Sequence, residues 1–223
     1  MMTKEQLAKV IDHTLIKPTA TLEEVDRLCE EGKKYGFYLV CVNLCYVEYA
    51  VEKLAGSGVK VGTTVGFPFG ATSAEVKAFE AEKAVKAGAA EVDMVMNIGY
   101  LKSGDYYAVR EDIEGVVRAA KEVNPEAIVK VIIETCYLTE NEKVSAANLC
   151  MDAKADFIKT STGMGPGGAT VEDVRLLAKL ADGKIGVKAA GGIRDLKTAL
   201  QMLEAGATRI GTSSGVAIME EFK

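Results

Sequence analysis

The sequence predicts a closed α/β barrel of eight parallel strands, the (β/α)8 or TIM barrel, in a single domain over residues 1–223. Three observations predict it: eight short apolar runs recur along the chain, helical patterns fill the gaps between them, and no shift of composition marks a second domain. Most of the runs are near-continuous apolar stretches, as strands buried on both faces of a parallel sheet should be. The alternative, an open doubly wound sheet, commonly carries a G-x-G-x-x-G turn after its first strand. Here the first run leads into Ile16-Lys17-Pro18-Thr19 and has no such turn.

The predicted strands are 13–16, 39–43, 59–67, 92–98, 128–134, 157–162, 185–190 and 209–213, and the predicted helices 22–35, 47–55, 73–87, 105–123, 140–153, 171–180 and 196–205. Starts are signalled by capping boxes, in which a Thr accepts from the third helical N–H and a Glu reaches back. Thr21 to Glu24, Thr72 to Glu75 and Thr139 to Glu142 fit the pattern, and Thr170 to Asp173 is its Asp variant. Stops are marked by glycine and alanine in "LAGSGVKVGT", "KAGAAEVDMV" and "EAGATRIGTS", each a helix end followed by the next strand.

Composition narrows the function. Hydrophobic residues make up 48% and charged residues 26% of 223, so a sizeable core is available, and the net charge is −5. No basic block or basic–aromatic stripe appears, and nucleic acid is not an expected partner. No apolar run approaches the ~18 residues of a membrane span. The polar start, MMTKEQLAKVIDHT, has no apolar leader, and a cytoplasmic location is expected. Cys29, Cys41, Cys45, Cys136 and Cys150 are odd in number and scattered, so they read as free thiols. His13 is the single histidine. Zinc-type chemistry usually needs several imidazoles, so neither a metal nor another cofactor is expected.

In a barrel, chemistry sits at the carboxyl ends of the strands. Charged residues inside apolar runs are therefore the candidates: Asp93 in "VDMVMNIG", Lys130 in "VKVIIETC", Lys159 in "FIKTSTG" and Lys188 in "GVKAAGG". A strand lysine can face outward and lay its stem along a helix. Lys159 and Lys188, however, lie at similar depth on consecutive strands, each followed by a Gly-rich loop. Adjacent strands are about 4.8 Å apart, close enough for two amines to interact. A buried lysine beside a second cation loses its proton easily and becomes a nucleophile. Asp93, across the barrel with Lys130 as its lateral partner, would offset the remaining charge and complete a proton relay.

"AAGGIR" (189–194) and "IGTSSG" (210–215) follow the seventh and eighth runs, where barrels often bind phosphate. Glycines let backbone N–H groups approach an anion, and Ser213 and Ser214 open the last helix. "GMGPGG" after the sixth run is expected to form a third, mobile wall and to act as a lid. Together these features indicate Schiff-base chemistry on a small phosphorylated carbonyl compound.

"IDHTLIKP", "EVDMVMNIG", "KVIIETC", "FIKTSTG", "VKAAGGIR" and "GTSSG" resemble, in order and over nearly the whole chain, the motifs of the deoxyribose-phosphate aldolase family. The resemblance implies a class I aldolase that reversibly cleaves 2-deoxy-D-ribose 5-phosphate to D-glyceraldehyde 3-phosphate and acetaldehyde in deoxyribonucleotide catabolism. It implies Lys159 as the Schiff-base lysine, Lys188 as the second lysine that lowers its pKa, and Asp93 as the relay partner of Lys188. It further implies Gly163, Gly191, Gly192, Ser213 and Ser214 as phosphate ligands, with Asp12 and Lys130 in the supporting polar network. A homo-oligomer without a cofactor is expected. Met164 stands where some members have a phosphate-directed lysine. Some members also have a longer tail ending in tyrosine; this sequence ends Phe222-Lys223, so tail assistance is not expected. Two rivals remain open from the residues alone. One is another phosphate-binding barrel enzyme, transaldolase-like or a sugar-phosphate isomerase; the other is an inactive barrel that only binds.

Overall fold

The computed structural model describes residues 2–222. The first and last residues, and with Lys223 the expectation about the chain's end, lie outside them. The eight strands are β1 (Ile11–Leu15), β2 (Leu39–Val42), β3 (Lys60–Val65), β4 (Glu91–Val95), β5 (Ile128–Ile132), β6 (Phe157–Lys159), β7 (Gly186–Ala190) and β8 (Arg209–Thr212). They pair in sequence order, all parallel, and β8 returns to β1 with Asp12 opposite Gly211, closing the barrel.

The outer ring contains α1 (Lys4–Ala8), α2 (Leu22–Tyr35), α3 (Val47–Leu54), α4 (Ala74–Lys86), α5 (Ile98–Lys102), α6 (Tyr106–Val123), α7 (Glu140–Asp152), α8 (Val171–Ala181), α9 (Leu196–Glu204) and α10 (Gly215–Glu221). In α2 the residues Val25, Leu28, Cys29 and Gly32 are buried. Their spacing puts them on one stripe of a 3.6-residue helix. Gly32 has no room to spare: a Cβ there would lie 2.9 Å from the Val40 side chain, so the glycine lets α2 settle on β2.

Several boundaries differ from the sequence reading. β1 begins at Ile11 rather than 13, because α1 delivers the chain straight into the sheet; Thr3 and Gln6 form its capping box. The boxes at Thr21 and Thr139 are present and Thr170 accepts from the Asp173 N–H, but the box at Thr72 is not formed. Ser73 is the residue that precedes α4, and its side chain makes no capping bond. The sixth run leaves the ladder after Lys159. Thr160 continues extended and still donates its N–H to the Lys188 carbonyl at 3.0 Å.

Between α4 and α6 the barrel's outer layer holds a buried ion pair. Lys77 Nζ lies 2.5 Å from Asp112 Oδ2 and donates to the Val95 carbonyl at 2.9 Å. The two side chains are 0% and 4% exposed. The pair thereby ties both helices to the end of β4. Removing one partner leaves a buried charge without compensation. Asp112→Ala should therefore lower unfolding free energy by about 3–5 kcal/mol in chemical denaturation. The double substitution Lys77→Met, Asp112→Leu should cost clearly less.

Candidate active site

The closed barrel turns alternate side chains inward, and the inward set includes a cluster of charged groups. Asp93 is 1% exposed, and its two oxygens receive three lysines. Lys130 Nζ lies 2.6 Å from Oδ1, while Lys159 Nζ and Lys188 Nζ each lie 2.7 Å from Oδ2. The register explains the convergence: Asp93 sits opposite Lys130 across β4 and β5, and Lys159 opposite Lys188 across β6 and β7. Asp12 takes Lys188 at 2.5 Å and Arg209 at 2.9 Å. Glu91 takes Lys130 at 2.6 Å and Arg209 at 3.0 Å. Gly211 makes room for this arrangement, since a Cβ there would stand 2.9 Å from Lys188 Cε.

Burial alone would raise the Asp93 pKa, but Lys130, Lys159 and Lys188 outweigh it and hold the carboxyl well below the usual carboxylate range. Burial likewise opposes the charge on each lysine, with opposite outcomes. Lys130, facing Asp93, Glu91 and Asp12, is held above the ordinary lysine value, and so is Lys188, facing Asp12 and Asp93. Lys159 is lowered: burial is the largest cause, Asp93 pulls back, and Lys188 pushes down further. The neighbouring cation singled out from the sequence therefore acts, but desolvation contributes more. The two amines meet through a shared carboxylate oxygen.

A cavity of about 310 Å³ opens at the carboxyl ends of β1, β6, β7 and β8. Of the three interior lysines only Lys159 lines it; Lys130 and Lys188 lie below. Gly163, Gly191, Gly192 and Ser213 stand on its wall, whereas Ser214 does not, its N–H donating to Thr212 Oγ1 at 2.9 Å. Gly163, Gly191 and Gly192 have φ of +82°, +85° and +80°, a region open to glycine at little cost. A Cβ on Gly192 would meet nothing within 4 Å, so the backbone there faces open space.

Two cations on the wall, Lys17 and Arg194, escaped the sequence reading. Lys17 is paired with Glu24 at 2.5 Å, and Arg194 has no ion-pair partner among the described residues. Arg194 lay inside the quoted "VKAAGGIR" and could have been found there. Met164 also lines the cavity.

The loop after β6 is fastened at both ends. Thr162 donates its N–H and hydroxyl to the buried Glu134, Ala169 N–H bonds the Ala190 and Gly191 carbonyls, and Gly165 and Gly167 close on Cys136. Glu134 adopts φ +50°, an uncommon conformation for a non-glycine residue. Among the described residues, no group of three or more His, Cys, Asp or Glu side chains is placed to hold a metal ion.

A model of the DeoC/LacD family of aldolases matches residues 6–221. A deoxyribose-phosphate aldolase of Thermococcus gammatolerans is 59% identical over 221 residues, covering 98% of this chain and 97% of that one. The crystal structure of a putative deoxyribose-phosphate aldolase from Coccidioides immitis superposes with a TM-score of 0.94 at 42% identity, covering 98% of this chain and 86% of that one. The deoxyribose phosphate aldolase of Aeropyrum pernix, described as a unique tetrameric structure, gives 0.92 at 37% identity over 100% and 93%. With the closed parallel barrel and its buried lysines already in place, the match along nearly the whole chain establishes that this protein belongs to the DeoC/LacD family of aldolases.

Proposed function

We propose that this protein is a class I aldolase that reversibly cleaves 2-deoxy-D-ribose 5-phosphate to D-glyceraldehyde 3-phosphate and acetaldehyde, in deoxyribose phosphate catabolism. The observation that carries the reading is that Lys159 alone of the interior lysines reaches the cavity, with its pKa lowered, while the rest of the lining includes left-handed glycines and an arginine with no ion-pair partner among the described residues. The relatives named above act on the same sugar phosphate by name.

The chemistry follows from these placements. The neutral Lys159 amine adds to C1 of the open-chain sugar, and water leaves to give a protonated imine, an electron sink. Loss of the C3 hydroxyl proton breaks the C2–C3 bond, releases glyceraldehyde 3-phosphate and leaves an enamine of acetaldehyde on Lys159. Protonation of the enamine carbon and addition of water then free acetaldehyde and the amine. Lys188, which retains its proton, and Asp93, held as a carboxylate 2.7 Å from it, are the donor and acceptor that move those protons. Gly163, Gly191, Gly192 and Ser213 would hold the phosphate through backbone and hydroxyl donors, Ser214 would support that wall from α10, and Arg194 would supply the cation absent at Met164.

We place the enzyme in the cytosol, a reading supported by its unpaired cysteines, and among the described residues no helix is long and apolar enough to cross a membrane. A homo-oligomer is supported by the tetrameric A. pernix relative and by the exposed apolar side chains Phe69 and, on α4, Val76 and Phe79.

Turnover of 2-deoxy-D-ribose 5-phosphate, followed as acetaldehyde release, tests the reading; absence of turnover by the folded protein would overturn it. Lys159→Ala should abolish turnover and leave the fold intact by circular dichroism. Lys188→Leu should lower kcat by about 10²–10⁴-fold, the usual worth of a positioned proton donor. It should also move the acid limb of the rate to higher pH, because Lys159 then regains its proton more easily. Arg194→Ala should raise KM with kcat little changed, the sign of lost uniform binding.

A further inference from the structure

Two buried charged side chains of the barrel interior have no part in the chemistry above or in the supporting network expected from the sequence. Glu91 opens β4 and is 0% exposed; Arg209 opens β8 and is 7% exposed. Both stand at the amino-end floor of the barrel, and neither lines the cavity. The Arg209 guanidinium lies 3.8 Å over the Tyr38 ring and 5.2 Å from that of Phe157. Its Nη1 joins Asp12 and Glu91. From there two lines of ion pairs run upward, through Asp12 and Lys188 or through Glu91 and Lys130, and both end on Asp93 and Lys159.

This network holds four basic groups, Lys130, Lys159, Lys188 and Arg209, against three carboxylates, Asp12, Glu91 and Asp93. A net buried charge is costly. The balanced state therefore has one basic group neutral, and the contacts say which. Lys130 has three carboxylates within 4 Å, at 2.6, 2.6 and 3.7 Å. Lys188 and Arg209 have two each, and a guanidinium does not deprotonate in proteins. Lys159 has one, and shares that oxygen with Lys188.

We propose that Arg209 and Glu91 are positioning residues that set the protonation state of Lys159 from the floor of the barrel, by fixing the charge count of the buried network. The proposal rests on the reading of Lys159 as the nucleophilic amine. Arg209 supplies the positive charge that makes a fourth cation superfluous, and Glu91 limits how far that pressure goes. The groups facing Lys159 are Asp93 from β4, Lys188 from β7 and the Cys41 thiol from β2, pushed up to about 11 by burial and so uncharged. Those facing Arg209 are Asp12 from β1, Glu91 from β4, Lys130 from β5 and the Tyr38 phenol ahead of β2, which receives Lys60 Nζ at 2.9 Å.

The signs are opposite for the two residues. Without Arg209, three cations with Lys159 protonated balance three carboxylates, so Lys159 holds its proton to higher pH. Without the Glu91 charge, three cations already exceed two carboxylates, so Lys159 loses its proton at lower pH. With both removed, Lys130 and Lys188 balance Asp12 and Asp93, and Lys159 returns to its original behaviour.

The test is an NMR pH titration of the Lys159 Cε in protein labelled with ¹³C-lysine, assigned by the signal missing from Lys159→Ala, together with the acid limb of kcat/KM. Arg209→Met should move the midpoint up, and Glu91→Gln down, each by about one pH unit, the size expected of a unit charge roughly 12 Å away at an effective dielectric near 20. The double variant should return to the wild-type value. If Arg209→Met does not fold, Glu91→Gln must still shift the midpoint down and Arg209→Lys, which keeps the charge, must leave it in place. A Lys159 midpoint unmoved in folded Glu91→Gln overturns the proposal, as does a shift in Arg209→Lys equal to that in Arg209→Met. Turnover separates the two readings: an inactive wild type overturns the aldolase function, whereas an active enzyme whose Lys159 ignores both substitutions overturns only the charge count.

Discussion

Asp93 accepts three lysine amines on two oxygens at the centre of a closed barrel, and the interior is arranged around that contact. A carboxylate or an ammonium alone at this depth would lose several kcal/mol of hydration. Here each charge is placed by a strand and met by another from the neighbouring or facing strand. The closure of β8 on β1 brings Asp12 and Arg209 into the same group as Glu91, Asp93 and Lys130. Glycine at 211 leaves the space the Lys188 stem occupies. Sheet closure, strand register and the choice of small residues thus serve one electrostatic end.

The consequence is an asymmetry among chemically identical side chains. Lys130 and Lys188 are held as cations by the carboxylates around them, while Lys159, at the cavity edge of the network, is the amine for which a proton is least favourable. A nucleophile needs that state at neutral pH. On the proposed mechanism the same imbalance would act on the intermediate: a protonated imine at Lys159 would restore the excess positive charge, and formation of a neutral enamine would relieve it. The imbalance that lowers the Lys159 pKa would in this way also favour C–C cleavage. The wall proposed to hold the phosphate is made of glycine backbone and an arginine with no ion-pair partner among the described residues, so it shares only Lys159 with this network.

Much of this was legible in the sequence. Lys159, Lys188, Asp93 and Lys130 betray themselves because a charge inside an apolar strand breaks the pattern, and spacing places them at matching depth. Glu91 and Arg209 were missed because they occupy the first position of their strands, where a charged residue ordinarily faces water; only closure of the barrel shows that those positions point inward. The loop at 163–168 reads as a lid from its glycines alone. Its anchors, Glu134, Cys136 and Gly191, come from the segments that follow β5 and β7, and local composition cannot report them. Thr72 fits a capping box, but α4 begins at Ala74, so Ser73 and not Thr72 holds the cap position.

If Lys159 carries the chemistry as a neutral amine facing the cavity, acetaldehyde should be trapped on it and on no other lysine of the interior. Borohydride reduction in the presence of acetaldehyde, followed by peptide mass mapping, addresses it directly. A two-carbon adduct confined to Lys159, with Lys130 and Lys188 unmodified, is the predicted result. A folded protein that turns over deoxyribose phosphate yet shows no adduct at Lys159, or shows it on Lys188 instead, would contradict the account.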